Sequence, residues 1–430
     1  MRPLVRLIQK TYRMVDPIEA ARVLHNVTSL SGLQVVTYFF PIVIVPYLFR
    51  VIGPEKFGLI SFAQAFVQYF MIVTDYGFSV SATKEISLHI EDKEKVLNII
   101  SAVMTIKAVM VFLCFLVLGA AIYFIPKFHH DWPVYVLSFG FVVGSALFPA
   151  WFYQGSESMK YIAKLNIIGE FIYAFGVFLY IRRPGDYLLV PALMSMAAII
   201  TGLLGQYILF ARFNLYFRMP KLKDLRHQLK AGWNIFISVV AINTYTTTRI
   251  FAVGLLTNNT LTGFYSVAER IANAVQTFPL NAFSQAIFPR MSKIFHKNKT
   301  KAFTIMQHVQ LITIIISLIF VPLIFILAPL IVKLVCGGTY PEAILSLRFL
   351  LVSVFCIASN AFRVQFLLVC GKTGTYSKIH LTMAAIGLPL IIAFIYAFSY
   401  VGAAMASTLI EAGVLTATYI IVKKLPYAWA

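Results

Sequence analysis

Long apolar runs alternate with short polar breaks along the whole chain. Runs of about 20 or more residues, divided by Gly, Pro and charged positions, fall at 26–50, 57–84, 96–125, 133–154, 161–181 and 187–211. A second set falls at 231–256, 261–289, 302–332, 342–370, 377–399 and 401–422. Each run has the length of one bilayer crossing as a helix. In lipid every backbone polar group must be satisfied within its own segment, so the runs predict about twelve transmembrane helices of an all-α polytopic membrane protein. An even number of spans puts both termini on one side.

Composition supports the same class. Of 430 residues, 60% are hydrophobic and 12% charged, against roughly half and a quarter in soluble domains. Twelve spans leave no room for a large aqueous domain, which excludes an ordinary soluble enzyme. The four cysteines, Cys114, Cys336, Cys356 and Cys370, have no disulfide or zinc spacing. Gly371-Lys372-Thr373 resembles the end of a phosphate-binding loop, but Phe366 stands where its first glycine is required. No cofactor and no metal site is expected.

The 36 Lys and Arg against 16 Asp and Glu report orientation and not nucleic acid. With the span-end residues Lys84, Lys164, Lys378 and Arg50 assigned to the adjoining loops, 25 of the cations fall in the N-terminal tail, the C-terminus and the loops after even-numbered spans, 6 in the opposite turns and 5 within spans. Lys and Arg are retained in the cytoplasm, so both termini are expected there. No removable leader is read at the N-terminus. In the basic segment 1–25, Arg2, Arg6, Lys10 and Arg13 lie opposite Leu4, Leu7 and Ile8, consistent with an interfacial amphipathic helix or with an unstructured basic tail.

The most basic loop, 212–230, lies midway and reads as a cytoplasmic link between two six-span halves, 26–211 and 231–430. A repeat supports the division. Gly58-Leu-Ile-Ser61-Phe-Ala63-Gln64 opens span 2 and Gly263-Phe-Tyr-Ser266-Val-Ala268-Glu269 opens span 8, an offset of 205 that also separates the starts of spans 1 and 7. An even number of spans per half makes the repeats parallel. Two lobes related by a pseudo-twofold axis would enclose a cleft, which is transporter architecture.

A charge at the bilayer centre costs at least ~2.5–3.5 kcal/mol, so each one needs a cavity, a partner or an interface. In span 2, Gln64, Gln68, Asp75 and Ser79 recur on one helical face. In span 8, Ser266, Glu269, Asn273 and Gln276 form one stripe and Arg270, Asn273 and Thr277 another. Span 7 carries Asn234, Ser238, Tyr245 and Arg249, with the polar run Asn243-Thr-Tyr-Thr-Thr-Thr248. These stripes predict a lumen in which Arg249, Arg270, Gln64, Gln68 and Asn273 bind cargo and Asp75 or Glu269 couples an ion. Lys107, Glu170 and Glu411 read as structural pairs, and Arg363 stays open. Arginine holds a phosphate by parallel hydrogen bonds that strengthen away from water, so a cationic cleft suggests an anionic cargo.

Several blocks resemble the bacterial O-antigen flippase family, Wzx. They are Pro46-Tyr-Leu-Phe-Arg50-Val-Ile-Gly-Pro54-Glu55-Lys-Phe57-Gly58, Asp75-Tyr76-Gly77-Phe78, Pro149-Ala-Trp151-Phe-Tyr-Gln154-Gly155, Gln285-Ala-Ile-Phe-Pro289-Arg290, Gly402-Ala-Ala404 and Glu411. The resemblance spans essentially the whole chain. It implies the fold of the multidrug/oligosaccharidyl-lipid/polysaccharide exporter superfamily, two six-helix lobes around a central cationic cleft. It also implies translocation of undecaprenyl-pyrophosphate-linked oligosaccharide units across the inner membrane. A polysaccharide polymerase and a chain-length regulator are the candidate protein partners, besides inner-membrane lipid. Within that pattern the acid of Asp75-Tyr-Gly-Phe and the base at Arg270 are the positions that carry over. Two other readings stay open: a cation-coupled multidrug antiporter of the same fold, and a membrane enzyme that polymerises lipid-linked sugars.

Overall fold

The computed structural model describes residues 17–425, with side chains from Phe40 onward except at positions 278, 279, 281–290, 293 and 296. The basic tail up to Asp16 lies outside the described residues, as do positions 426–430. The described chain is almost wholly helical. In order it forms α1 (Pro17–Asp75), α2 (Phe78–Leu88), α3 (Lys93–Phe124), α4 (Pro126–His130), α5 (Trp132–Leu147), α6 (Ala150–Gly155), α7 (Met159–Tyr180) and α8 (Leu189–Phe213). A non-helical link over 214–221 leads to α9 (Leu222–Thr246), α10 (Thr248–Leu256), α11 (Asn259–Lys297), α12 (Lys299–Cys336), α13 (Pro341–Ala358), α14 (Ala361–Val369) and α15 (Thr373–Lys423). Asp92 caps α3 by accepting from the Lys95 N–H at 3.2 Å, and that bond holds its carboxyl below the usual carboxylate range.

Among the described residues eight helices are long and apolar enough to cross a bilayer, or nine with the pair α9/α10, bent by 48°, taken as one span. Two of these runs fold back on themselves. In α1 the backbone leaves helical geometry at Gly53 (φ 76°), and the rings of Phe49 and Phe57 meet at 5.4 Å. Eight residues of straight helix would separate them by about 12 Å. In α15 the break is at Ser399 (φ 55°). There Gly402 packs on the Phe394 carbonyl, Gly387 on Ile410 and Gly413 on Met383, three contacts centred near residue 398. With these hairpins divided, and with α11 counted although its polar content keeps it from passing as apolar, the described helices trace the twelve expected spans.

The two halves meet about a local twofold. A Cβ added to Gly58 would stand 1.7 Å from the Asn259 carbonyl oxygen, and one added to Gly263 would stand 2.1 Å from the Pro54 carbonyl oxygen. Pro54 and Asn259, like Gly58 and Gly263, are 205 residues apart. The two contacts are therefore symmetry mates, as in an isologous interface. Only the absence of a side chain at both glycines lets the span 2 part of α1 and the start of α11 approach this closely.

Burial shows how the lobes are joined. One core runs through both halves around Phe49, Phe62, Tyr135, Val253 and Tyr265. Toward the end carrying the link over 214–221 it divides in two. Phe78, Trp151 and Phe152 centre one branch in the first lobe, and Phe303, Phe362 and Phe366 centre the other in the second. The lobes thus share one fused core at one end and keep separate cores at the other, where α9 still packs on the first lobe, Gly232 and Phe236 against Tyr76.

Candidate functional site

Glu269 and Arg270 are adjacent on α11, so their side chains leave the helix about 100° apart. The structure sends them into different lobes. Glu269 turns into its own lobe and pairs with Arg249 at 2.9 Å, the carboxylate being buried and the guanidinium mostly so. Arg249 also donates to the Ser407 hydroxyl, tying α10, α11 and α15 together. Arg270 turns toward the first lobe. Its Nη2 donates to Gln64 Oε1 at 2.7 Å, and its guanidinium lies 5.7 Å from the centre of the Phe57 ring.

Arg270 forms one wall of a cavity of about 460 Å³. Every other lining residue comes from the first lobe, the polar ones including Ser61, Gln64, Asn166, Glu170 and Tyr173. Pro41, Ile44 and Leu48 of α1 make an apolar side. Among the described residues Arg270 has no carboxylate within 4.0 Å; its direct partners are the Gln64 amide and the Phe57 ring.

The 205-residue offset explains why the cavity exists. Ile44 and Gln64 occupy, in the first lobe, the positions that Arg249 and Glu269 occupy in the second. In the second lobe these positions carry an ion pair. In the first lobe an aliphatic chain and an amide leave the space partly empty, and the guanidinium of the other lobe reaches in.

The remaining expected site residues are placed as follows. Arg249 was expected as an open cavity cation and is instead paired with Glu269, which leaves neither facing the cavity. Gln68 and Asn273 do not line the cavity; Gln68 is half-buried and Asn273 exposed. Asp75 ends α1 and accepts a salt bridge from Lys107 at 3.5 Å. A carboxylate at a helix C-terminus opposes the helix dipole, and the buried ammonium offsets this. The helix breaks at Tyr76 and Gly77, both with positive φ. Ser79 therefore does not continue the face of Gln64, Gln68 and Asp75.

Glu170 was expected in a structural pair; it lines the cavity and makes no ion pair among the described residues. Glu411 also lacks a cation within 4.0 Å, although Arg249 lies within its electrostatic reach. Arg363 donates to the Ser359 carbonyl at 2.5 Å and lies over the Tyr419 ring, a local role within the second lobe.

Four of the six residues of the polar run of span 7 bond back within their own helix, while Thr248 pairs with the Tyr69 hydroxyl of the first lobe at 2.7 Å. Asn243 donates to the Val239 carbonyl at 2.8 Å, Thr244 to Val240 at 2.8 Å and Thr246 to Ile242 at 3.0 Å. Such back-bonding bends helices, and the chain bends here, between α9 and α10. Tyr245 is buried and hydrogen-bonded to His380 at 2.7 Å.

One polar cluster had no signal in the sequence pattern. At the end where the cores divide, Glu85 of α2 binds His227 at 2.9 Å and Gln228 at 2.5 Å, both on α9, beside a second cavity of about 580 Å³. The three residues lie outside the apolar runs, where periodicity carries no information.

Comparison with known proteins extends this description. The family model described as polysaccharide biosynthesis protein matches residues 23–295. A protein of Escherichia coli (strain K12) bearing the name O-antigen transporter is 28% identical over 382 residues, covering 88% of this chain and 92% of its own. Among solved structures, the lipid II flippase MurJ in an inward closed conformation superposes with a TM-score of 0.75 at 12% identity, over 92% of this chain and 87% of its own. An inward-facing multidrug resistance MATE family transporter of the MOP superfamily gives 0.71 at 15% identity, over 92% and 93%. At these identities the structural likeness establishes the fold.

Proposed function

Since the chain belongs to the polysaccharide biosynthesis protein family, we propose that it is a lipid-linked oligosaccharide flippase. Its cargo in this reading is an undecaprenyl-pyrophosphate-linked O-antigen or related repeat unit, moved from the cytoplasmic to the periplasmic leaflet of the inner membrane. The names of the O-antigen transporter and of the lipid II flippase support the class. The observation that carries the reading is Arg270, a guanidinium without a carboxylate partner projecting from one lobe into a cavity of the other. A guanidinium in a low-dielectric cavity binds a phosphate strongly and has little to offer a cationic drug.

In this mechanism residues 26–211 and 231–430 are the two moving bodies, 212–230 is the cytoplasmic link, and both termini are cytoplasmic. Arg270 holds the pyrophosphate, Gln64 and Asn166 contribute hydrogen bonds, and the polyprenyl tail remains in lipid. Gln68 and Asn273 join the contact only as the lobes move. Outward passage of negative charge is favoured by an inside-negative potential at roughly 2.3 kcal/mol per charge per 100 mV. Asp75 is the better ion-coupling candidate, because its carboxylate is partly exposed whereas Glu269 is sealed by Arg249. No step requires bond chemistry, so the chain acts as a transporter and not an enzyme. A polymerase and a chain-length regulator would act on the delivered units.

The test is translocation in proteoliposomes containing the purified chain and a fluorescent polyprenyl-pyrophosphate-linked oligosaccharide, read by a membrane-impermeant quencher. Transfer between leaflets that depends on Arg270 supports the reading. Transfer no faster than in protein-free vesicles at every imposed potential overturns it.

A further inference from the structure

Two cations of the first lobe bind the ends of helices in the second. Arg50, at the end of span 1, donates through Nη2 to the Leu334 carbonyl and through Nε to the Val335 carbonyl at 3.3 Å. These are among the last carbonyls of α12, which stops at Cys336. Lys127, on α4 just beyond span 3, donates to the Gly254 carbonyl, to Leu255 at 3.3 Å and to Thr257 at 3.4 Å. These belong to the end of α10 and the turn after it. The terminal carbonyls of a helix have no partner within it and carry the negative end of its dipole, so a cation is the complementary group.

The two contacts are related by the same twofold as the glycine crossing. The offset of 205 carries Arg50 to Leu255 and Leu334 to His129, so the span 1 to span 9 contact maps onto the contact between span 7 and the end of span 3. The donor does not follow the symmetry. In both contacts the cation belongs to the first lobe and the carbonyls to the second. Both lie at the fused end, with Gly58 and Gly263, and neither cation lines the 460 Å³ cavity.

We infer that Arg50 and Lys127 are positioning residues for translocation, a pair of cationic latches that hold the lobes closed at the end opposite the 214–221 link. For the cavity to open toward that end, the α10 and α12 carbonyls must exchange these cations for water. Both latches lie near the aqueous boundary, where such bonds are of modest strength. That suits contacts that form and break in each cycle. The inference rests on the alternating-access reading for its role in transport, but not for the latch itself.

The experiment is a distance measurement between spin labels at Gly185→Cys in the first lobe and Leu330→Cys in the second. It uses the full chain in lipid nanodiscs, in a background lacking the four native cysteines. The double variant R50Q/K127Q should shift population toward the separated state by roughly tenfold, as for the loss of two partly exposed cations from their carbonyl contacts. R50K/K127R keeps both charges and should retain the short distance. An unchanged distribution in R50Q/K127Q, or an equal shift in R50K/K127R, overturns the latch. The measurement needs no cargo, so its failure is distinguishable from failure of the flippase reading, which the proteoliposome assay decides.

Discussion

Arg270 crosses from the second lobe to donate to Gln64 of the first at 2.7 Å, while its neighbour Glu269 stays behind, paired with Arg249. Two adjacent charges thus divide the tasks of facing cargo and holding a lobe together.

The first prediction concerns this crossing. Arg270→Ala should lower the flipping rate by roughly 10²-fold, the scale of losing one partner of a buried charge-assisted contact. Arg270→Lys should restore only part of it, because an ammonium cannot present two parallel donors. Rates in proteoliposomes, with protein folding checked by gel filtration, decide the matter. An Arg270→Ala protein of normal rate would remove Arg270 from the binding site.

The Arg249–Glu269 pair predicts a stability effect instead. Glu269→Leu leaves a buried guanidinium without its counter-ion and should cost about 3–5 kcal/mol. The double replacement Arg249→Met/Glu269→Leu should recover most of that, since both charges are then gone. Thermal unfolding in detergent reads the difference; equal losses in the single and double variants would show that the pair is not an interacting unit.

At the helix crossing, a valine at either Gly58 or Gly263 would overlap backbone atoms of the other lobe. Overpacking of this kind costs about 1–3 kcal/mol even in adaptable cores, and backbone cannot step aside as a side chain can. Each variant should force the fused end apart and increase labelling there by a water-soluble thiol reagent at an engineered cysteine. The two should behave alike, because their contacts are symmetry mates. A normal closed state in Gly58→Val would mean that the approach is not obligatory.

Lys127 predicts a pH dependence. Burial disfavours its charged form and lowers its pKa from that of an ordinary lysine. The ammonium latch is therefore intact at neutral pH, and as pH rises it is lost earlier than a solvated lysine would be. The fraction of molecules with separated labels should rise toward alkaline pH in the parent chain and stay flatter in Lys127→Arg, whose guanidinium does not titrate there. Matching pH profiles for the two proteins would refute the dependence.

Some of this was legible without coordinates because its physics is local. Apolar runs of bilayer length become helices wherever they sit, so the spans were visible. The shared offset of 205 gave the repeat, and Gly58 and Gly263 proved to be where the halves touch. The twofold also accounts for the cavity, once Ile44 and Gln64 are set against Arg249 and Glu269. The polar run of span 7 read as lumen lining because sequence shows polarity but not where each hydroxyl bonds. Asn243, Thr244 and Thr246 bond carbonyls one turn back on their own helix.

By itself, then, the sequence determined the membrane class, the helical spans and the twofold repeat, since each follows from hydropathy and spacing along one chain. Only the tertiary structure decided that Arg249 is neutralised within its lobe, that Arg270 faces a cavity of the other, and that Arg50 and Lys127 bind helix ends across the interface. A charge takes its partner from segments brought near by packing, and for Arg50 and Leu334 those segments are 284 residues apart. No local pattern can express that choice.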